Sequence, residues 1–134
     1  SSYDNIELTY AIGVISKIME KTQVAFSSNG RTVYELADMN IPTIVLSHHE
    51  RESTHSFATL EKGFINLGIY DRIKSPNLIS SNFKKMVFDS DYRKLLFLNI
   101  NKYNFRNNKQ IVVKKILQYL IWYIIDIIET LYHL

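Results

Sequence analysis

Apolar residues in this chain come in short runs separated by polar turns. Ile6, Leu8 and Tyr10 alternate with polar neighbours, which predicts a strand, and Ile12, Ile15, Ile18 and Met19 then recur at helical spacing up to Lys21. Residues 24–26 form a brief apolar run suited to a parallel strand covered on both faces. After a polar turn, Val33, Leu36, Ala37 and Met39 share one helical face, with the helix entered at Arg31 or Thr32. Asn40-Ile41-Pro42 ends it, because proline disfavours helical geometry in the residue before it. Residues 43–46 read as the next buried strand. Phe57, Ala58 and Leu60 predict another helix face closed by Lys62-Gly63, and residues 64–68 a further strand.

The resulting order, β-α-β-α-β-α-β, predicts an α/β fold: a three-layer, Rossmann-like domain with a mainly parallel sheet and a helical C-terminal region. The whole chain, residues 1–134, reads as one domain, with a core in 1–70 and a helical completion in 71–134. Residues 73–77 read as a loop, and 78–87 and 91–98 as helices, the second capped by Asp89 or Ser90. Residues 99–108 are Asn-rich and read as irregular, and a last helix starts near Lys109. Its most hydrophobic part, residues 119–129, is not expected to span a membrane, since Gln118, Asp126 and Glu129 interrupt it well short of the ~20 apolar residues required. Two fates fit it: burial against its own sheet, or contact with another domain or subunit. Tyr10, Phe26, Phe57 and Phe64 are assigned to the core, and Tyr70 is the loop aromatic available for base stacking.

Composition narrows the chemistry. The net charge of +3, from 16 basic and 13 acidic residues, is small and dispersed, and it argues against nucleic acid. Lys84-Lys85 and Lys114-Lys115 read as solvated helix faces. Without cysteine there are no disulfides or thiolate metal sites, which fits a cytoplasmic location, and no secretion leader is read at the start of the sequence. His49-Glu50 opens like a zinc-protease motif, but Ser53 stands where the second His is needed and His55 falls off the i, i+4 spacing, so no metal site is expected. No cofactor is expected either.

The strand–turn–helix–strand stretch at residues 24–46 leaves turn and helix N–H groups pointing beyond the strand ends, in outline an anion cradle. Phe26-Ser27-Ser28-Asn29-Gly30-Arg31-Thr32-Val33-Tyr34-Glu35-Leu36-Ala37, then Asn40-Ile41-Pro42-Thr43-Ile44-Val45, then His49-Glu50-Arg51-Glu52-Ser53-Thr54-His55-Ser56-Phe57-Ala58 resemble the C-terminal, nucleotide-binding half of GT-B-fold nucleotide-sugar enzymes. That family includes the UDP-sugar hydrolase of the pseudaminic acid pathway and the transferase that adds N-acetylglucosamine in peptidoglycan synthesis. The likeness covers about residues 5–70; beyond them only the helical character is similar.

The resemblance implies a domain binding a UDP-sugar or similar nucleotide-sugar, from a glycosyltransferase or hydrolase of bacterial surface glycan or nonulosonic acid synthesis. It implies diphosphate binding by Ser27, Ser28, Asn29, Gly30 and Thr32, and ribose binding by Glu35. Arg31 replaces a small residue of the family; it either chelates phosphate or blocks close backbone approach. His49, Glu50, Ser53, Thr54 and His55 are the implied sugar contacts. The spacing of Thr32 and Glu35 equally fits a capping box. The resembling hydrolase keeps its general base in its N-terminal half, so the catalytic residue is unknown in this chain, and the last helix would pack on that half or on a second copy. A 2-epimerase is a further option within the same family. The alternative from another class is a non-catalytic α/β interaction domain that docks a partner through its C-terminal helix.

Overall fold

The computed structural model describes residues 5–10, 13, 15–103 and 108–132. Three strands, β1 (Ala25–Ser28), β2 (Thr43–Ser47) and β3 (Phe64–Ile69), form a parallel sheet in the order β1-β2-β3. Ala25 lies level with Thr43, and Thr43 with Phe64; the second ladder is irregular between Val45 and Ser47. The α/β, Rossmann-like class predicted from the apolar runs is the observed one.

Helix α1 (Ser16–Met19) precedes β1, α2 (Thr32–Asp38) connects β1 to β2, and α3 (Glu50–Ser53) with a 3₁₀ turn at Leu60–Lys62 connects β2 to β3. Helices α4 (Ser75–Phe88) and α5 (Ser90–Asn101) follow. Because side chains alternate along a strand, central β2 feeds two cores. Val45 packs with Val33 and Ala37 of α2, Ala58, Phe64 and Ile100. Ile44 packs on the opposite face with Ile65, Met86 of α4 and Leu96 of α5. Helices thus cover both faces of a sheet too apolar at its centre to meet water.

The ends of the helices follow from local chemistry. Asn40 closes α2 in the left-handed region, φ 57°, where asparagine is tolerated better than most residues. The Asn40 N–H donates to the Ala37 carbonyl and the Ile41 N–H to that of Leu36, a Schellman stop. Its usual apolar contact is present too, as Ile41 packs with Leu36 and Met19. Pro76 sits in the first turn of α4, where its missing N–H costs nothing. Asp89 caps α5 as expected, its carboxylate accepting from the Tyr92 N–H at 2.9 Å.

Several expectations are corrected. Residues 6–10 form no strand: Ile6, Leu8 and Tyr10 are exposed, with no neighbouring strand to complete a ladder among the described residues. The helix expected over 12–21 is one turn within the described residues; 11, 12 and 14 lie outside them. Phe57 and Ala58 lie on non-helical chain, where the Ala58 carbonyl accepts from the Asn66 amide at 3.2 Å. Phe26, assigned to the core, is half exposed on edge strand β1 and packs against Phe83 with ring centroids 5.4 Å apart. The region expected to be irregular from Asn99 is helical to Asn101, and 104–107 lie outside the described residues.

The last helix, α6 (Asn108–Tyr132), has 25 residues and is ~37 Å long at the α-helical rise. All its described side chains, residues 110–131, are exposed, so burial against its own sheet is ruled out. The sheet's two cores are filled by α2, α4 and α5 instead, with Ile100 of α5 packing beside Val33 and Ala37 of α2 and Leu96 of α5 beside Met86 of α4. No helix among the described residues is long and apolar enough to cross a membrane.

Candidate functional site

The candidate residues gather at the carboxyl ends of β1 and β2, where the chain leaves a parallel sheet and ligands of such sheets commonly bind. Ser27 and Ser28 end β1, and Ser28 is level with Leu46. Ser47, the next residue of β2, therefore lies beside the turn that starts at Asn29.

Asn29 joins the two halves of the site. Its side chain is 1% exposed and its amide nitrogen donates to the Glu52 carbonyl at 2.9 Å and to the His55 carbonyl at 3.0 Å. The backbone carbonyl of Asn29 lies 2.6 Å from His55 Nδ1. A carbonyl can only accept, so Nδ1 carries the proton and Nε2 of the neutral ring is left as an acceptor. The stretches 27–32 and 48–55, separate in sequence, are thereby fastened together. The same bonds change two assignments: the Asn29 amide donors are spent inside the protein, as is one nitrogen of His55, and both residues build the site before they can contact a ligand.

Other groups are open. The Gly30, Arg31 and Thr32 N–H groups have no acceptor among the described residues, since the first bonds of the following turn are donated by Val33 to Gly30 and Tyr34 to Arg31. Arg31 occupies the cap position of α2 with no side-chain capping bond. Thr32 lies inside the helix, so the capping-box arrangement of Thr32 with Glu35 is absent. Arg31 and Glu35 are exposed, and neither side chain has a protein partner among the described residues. A Cβ at position 30 would meet only Ser28 Oγ, at 3.5 Å, so nothing in the protein requires glycine there.

On the neighbouring loop His49 caps α3 through its backbone conformation alone, and Glu50 is exposed in the first turn. The Glu52 carboxylate accepts from the His48 N–H at 2.8 Å. Ser53 and Thr54 donate their hydroxyls to the Glu50 and Arg51 carbonyls, each at 2.7 Å; their oxygens can still accept, but their protons are committed. Tyr70, just beyond β3, is half exposed. Ser27 Oγ donates to the Ser28 carbonyl at 3.0 Å. Among the described residues, no three His, Asp or Glu side chains converge as a metal site would require.

Ser47 was not among the residues picked out by sequence. It is wholly buried, and its hydroxyl is the one buried side-chain polar atom without a partner among the described residues. A hydroxyl left so costs on the order of 1–3 kcal/mol. The signal was present in the sequence: a small polar residue directly after the apolar run Ile44-Val45-Leu46. A separate cavity of about 460 Å³, bounded by Met39, Pro42, Arg93 and Phe97, opens at the amino ends of the strands and contains none of the candidate residues.

No protein-family model, no curated protein and no solved structure matches this chain.

Proposed function

We propose that the carboxyl end of this sheet binds a nucleotide-activated sugar, a UDP-sugar in the first instance, as part of a glycosyltransferase or nucleotide-sugar hydrolase of cytoplasmic glycan synthesis. The observation that carries the reading is the row of open backbone donors at Gly30, Arg31 and Thr32 beside the ends of β1 and β2. Such donors favour an anion, and a diphosphate presents enough oxygens to accept from all three. Arg31 adds a cation that can chelate phosphate. Glu35, one turn further on and without a partner among the described residues, has the chemistry to accept from ribose hydroxyls. The likeness of the 26–58 stretch to GT-B enzymes selects a nucleotide-sugar over other phosphorylated ligands.

In this reading the C–O bond between the anomeric carbon and the diphosphate breaks, and backbone donors stabilise the charge that develops on the leaving oxygen. The attacking oxygen comes from water or from a second substrate, and its activating base is not among the candidate residues. These residues bind and orient the leaving group.

A thermal-shift panel with UDP, CMP, UDP-N-acetylhexosamines and inorganic phosphate tests this. At ten times Kd a ligand adds about 1.4 kcal/mol to stability, which raises Tm by roughly 5–10 °C for a domain of this size. A shift with millimolar UDP that Glu35→Ala abolishes supports the proposal. Arg31→Ala should weaken UDP binding several-fold in calorimetry, and unchanged affinity would remove Arg31 from the site. No shift with any nucleotide favours the interaction-domain reading, which the full exposure of α6 already recommends.

A further inference from the structure

α6 carries a pattern that the nucleotide reading does not use. Val113, Leu117, Leu120, Ile124, Ile127 and Leu131 succeed one another at alternating steps of four and three, the spacing by which α-helices interlock along a seam. These six side chains are 42–65% exposed. Nothing in the described fold covers them.

The seam is its own complement. Steps of four, three, four, three and four read the same in both directions, so a second α6 laid antiparallel about Trp122 sets Val113 against Leu131, Leu117 against Ile127 and Leu120 against Ile124. The charges choose the same direction. Lys114 and Lys115 lie in the amino half, while Asp126 and Glu129 lie in the carboxyl half. That is the unfavourable sense for an isolated helix dipole. In an antiparallel pair basic halves and positive dipole ends lie beside acidic halves and negative ones; in a parallel pair like meets like.

Area agrees. Ile116, Ile121, Tyr123 and Ile128 flank the seam and are also about half exposed. With the six seam residues, at roughly 80 Å² each, they supply about 800 Å² per chain, what one partner contributes to a stable interface. Apolar flanks widen the contact beyond the narrow stripe of a two-helix coil and suit larger bundles. We propose that α6 is an oligomerisation helix through which copies of this chain associate antiparallel, as a dimer or a tetramer. An all-antiparallel ring needs an even number of helices.

Sedimentation equilibrium on the full chain should give a dimer or tetramer at micromolar concentration. The double variant Leu120→Glu/Ile124→Glu should raise the dissociation constant about a hundredfold or more while leaving the thermal transition of the α/β body unchanged, because both positions lie outside its core. Direction is read by disulfide trapping, which the cysteine-free sequence makes clean. Chains carrying Val113→Cys mixed with chains carrying Leu131→Cys should form the mixed disulfide. Neither should cross-link alone: antiparallel neighbours hold their copies of residue 113 roughly 27 Å apart along the axis, and the parallel copies of a tetramer face each other across the bundle diagonal, also beyond disulfide reach. A monomer, a trimer, cross-linking of Val113→Cys with itself, or a monomeric chain that partitions onto phosphatidylcholine–phosphatidylglycerol vesicles would overturn the proposal.

Discussion

Gly63→Ala should destabilise the protein by ~2–5 kcal/mol or more, seen as a steep fall in the midpoint of its thermal transition by circular dichroism. Gly63 closes the 3₁₀ turn at φ 79° and donates its N–H to the Leu60 carbonyl. A Cβ there would overlap Ile100 Cγ1 and the Leu96 carbonyl oxygen. Ile100 can turn, but Leu96 belongs to the backbone of α5, so relief requires moving a helix that packs against the sheet. The left-handed conformation costs ~1–2 kcal/mol and forced repacking ~1–3 kcal/mol or more. Together they consume much of the ~5–15 kcal/mol by which small domains are stable. Gly68→Ala is the control. Its φ of 76° carries the same conformational penalty, but a Cβ there meets nothing within 4 Å. It should cost ~1–2 kcal/mol, and the difference between the two midpoints measures the clash against α5; equal midpoints would show that α5 yields freely.

Asn29→Ala should destabilise the protein by ~2–3 kcal/mol, a fall in Tm of roughly 7–11 °C, with the denaturant m-value unchanged. The buried amide satisfies two carbonyls, those of Glu52 and His55, and alanine leaves both without that donor. Because the same amide fastens the β2–β3 connection to the β1 turn, the variant should also lose any UDP-induced shift. Unaltered stability would mean that water replaces the amide and that the two loops hold together by other means.

The strands and most helix ends were legible because they rest on local signals. Pro42 and Asn40 mark the stop of α2, Asp89 the start of α5, and the runs around Phe26, Ile44 and Phe64 the three strands. What failed depended on partners. Ile6, Leu8 and Tyr10 alternate like a strand, yet alternation supplies no neighbour to pair with. Phe57, Ala58 and Leu60 have helical spacing, but Ala58 enters the core from non-helical chain. The site divides in the same way. Its position after β1 was readable from a strand, a small polar turn and a helix start. Which polar groups are already spent was not, since the partners of Asn29 lie 23 and 26 residues away. Ser47 was legible only as a small polar residue at the end of a strand; that its hydroxyl finds no partner depends on the chain folded around it.

The all-parallel register governs how the domain comes to exist. No two strands can meet through a tight turn; each ladder, from Ala25 against Thr43 and from Thr43 against Phe64, closes a loop of about twenty residues before its first contact forms, an entropic toll that must be met in advance. Helices α4 and α5 are adjacent and separated only by Asp89, so their pairing is local and fast. The helical pair can therefore form ahead of the sheet that it covers. Until the central strand is enclosed, the apolar faces of β2 are open to other chains.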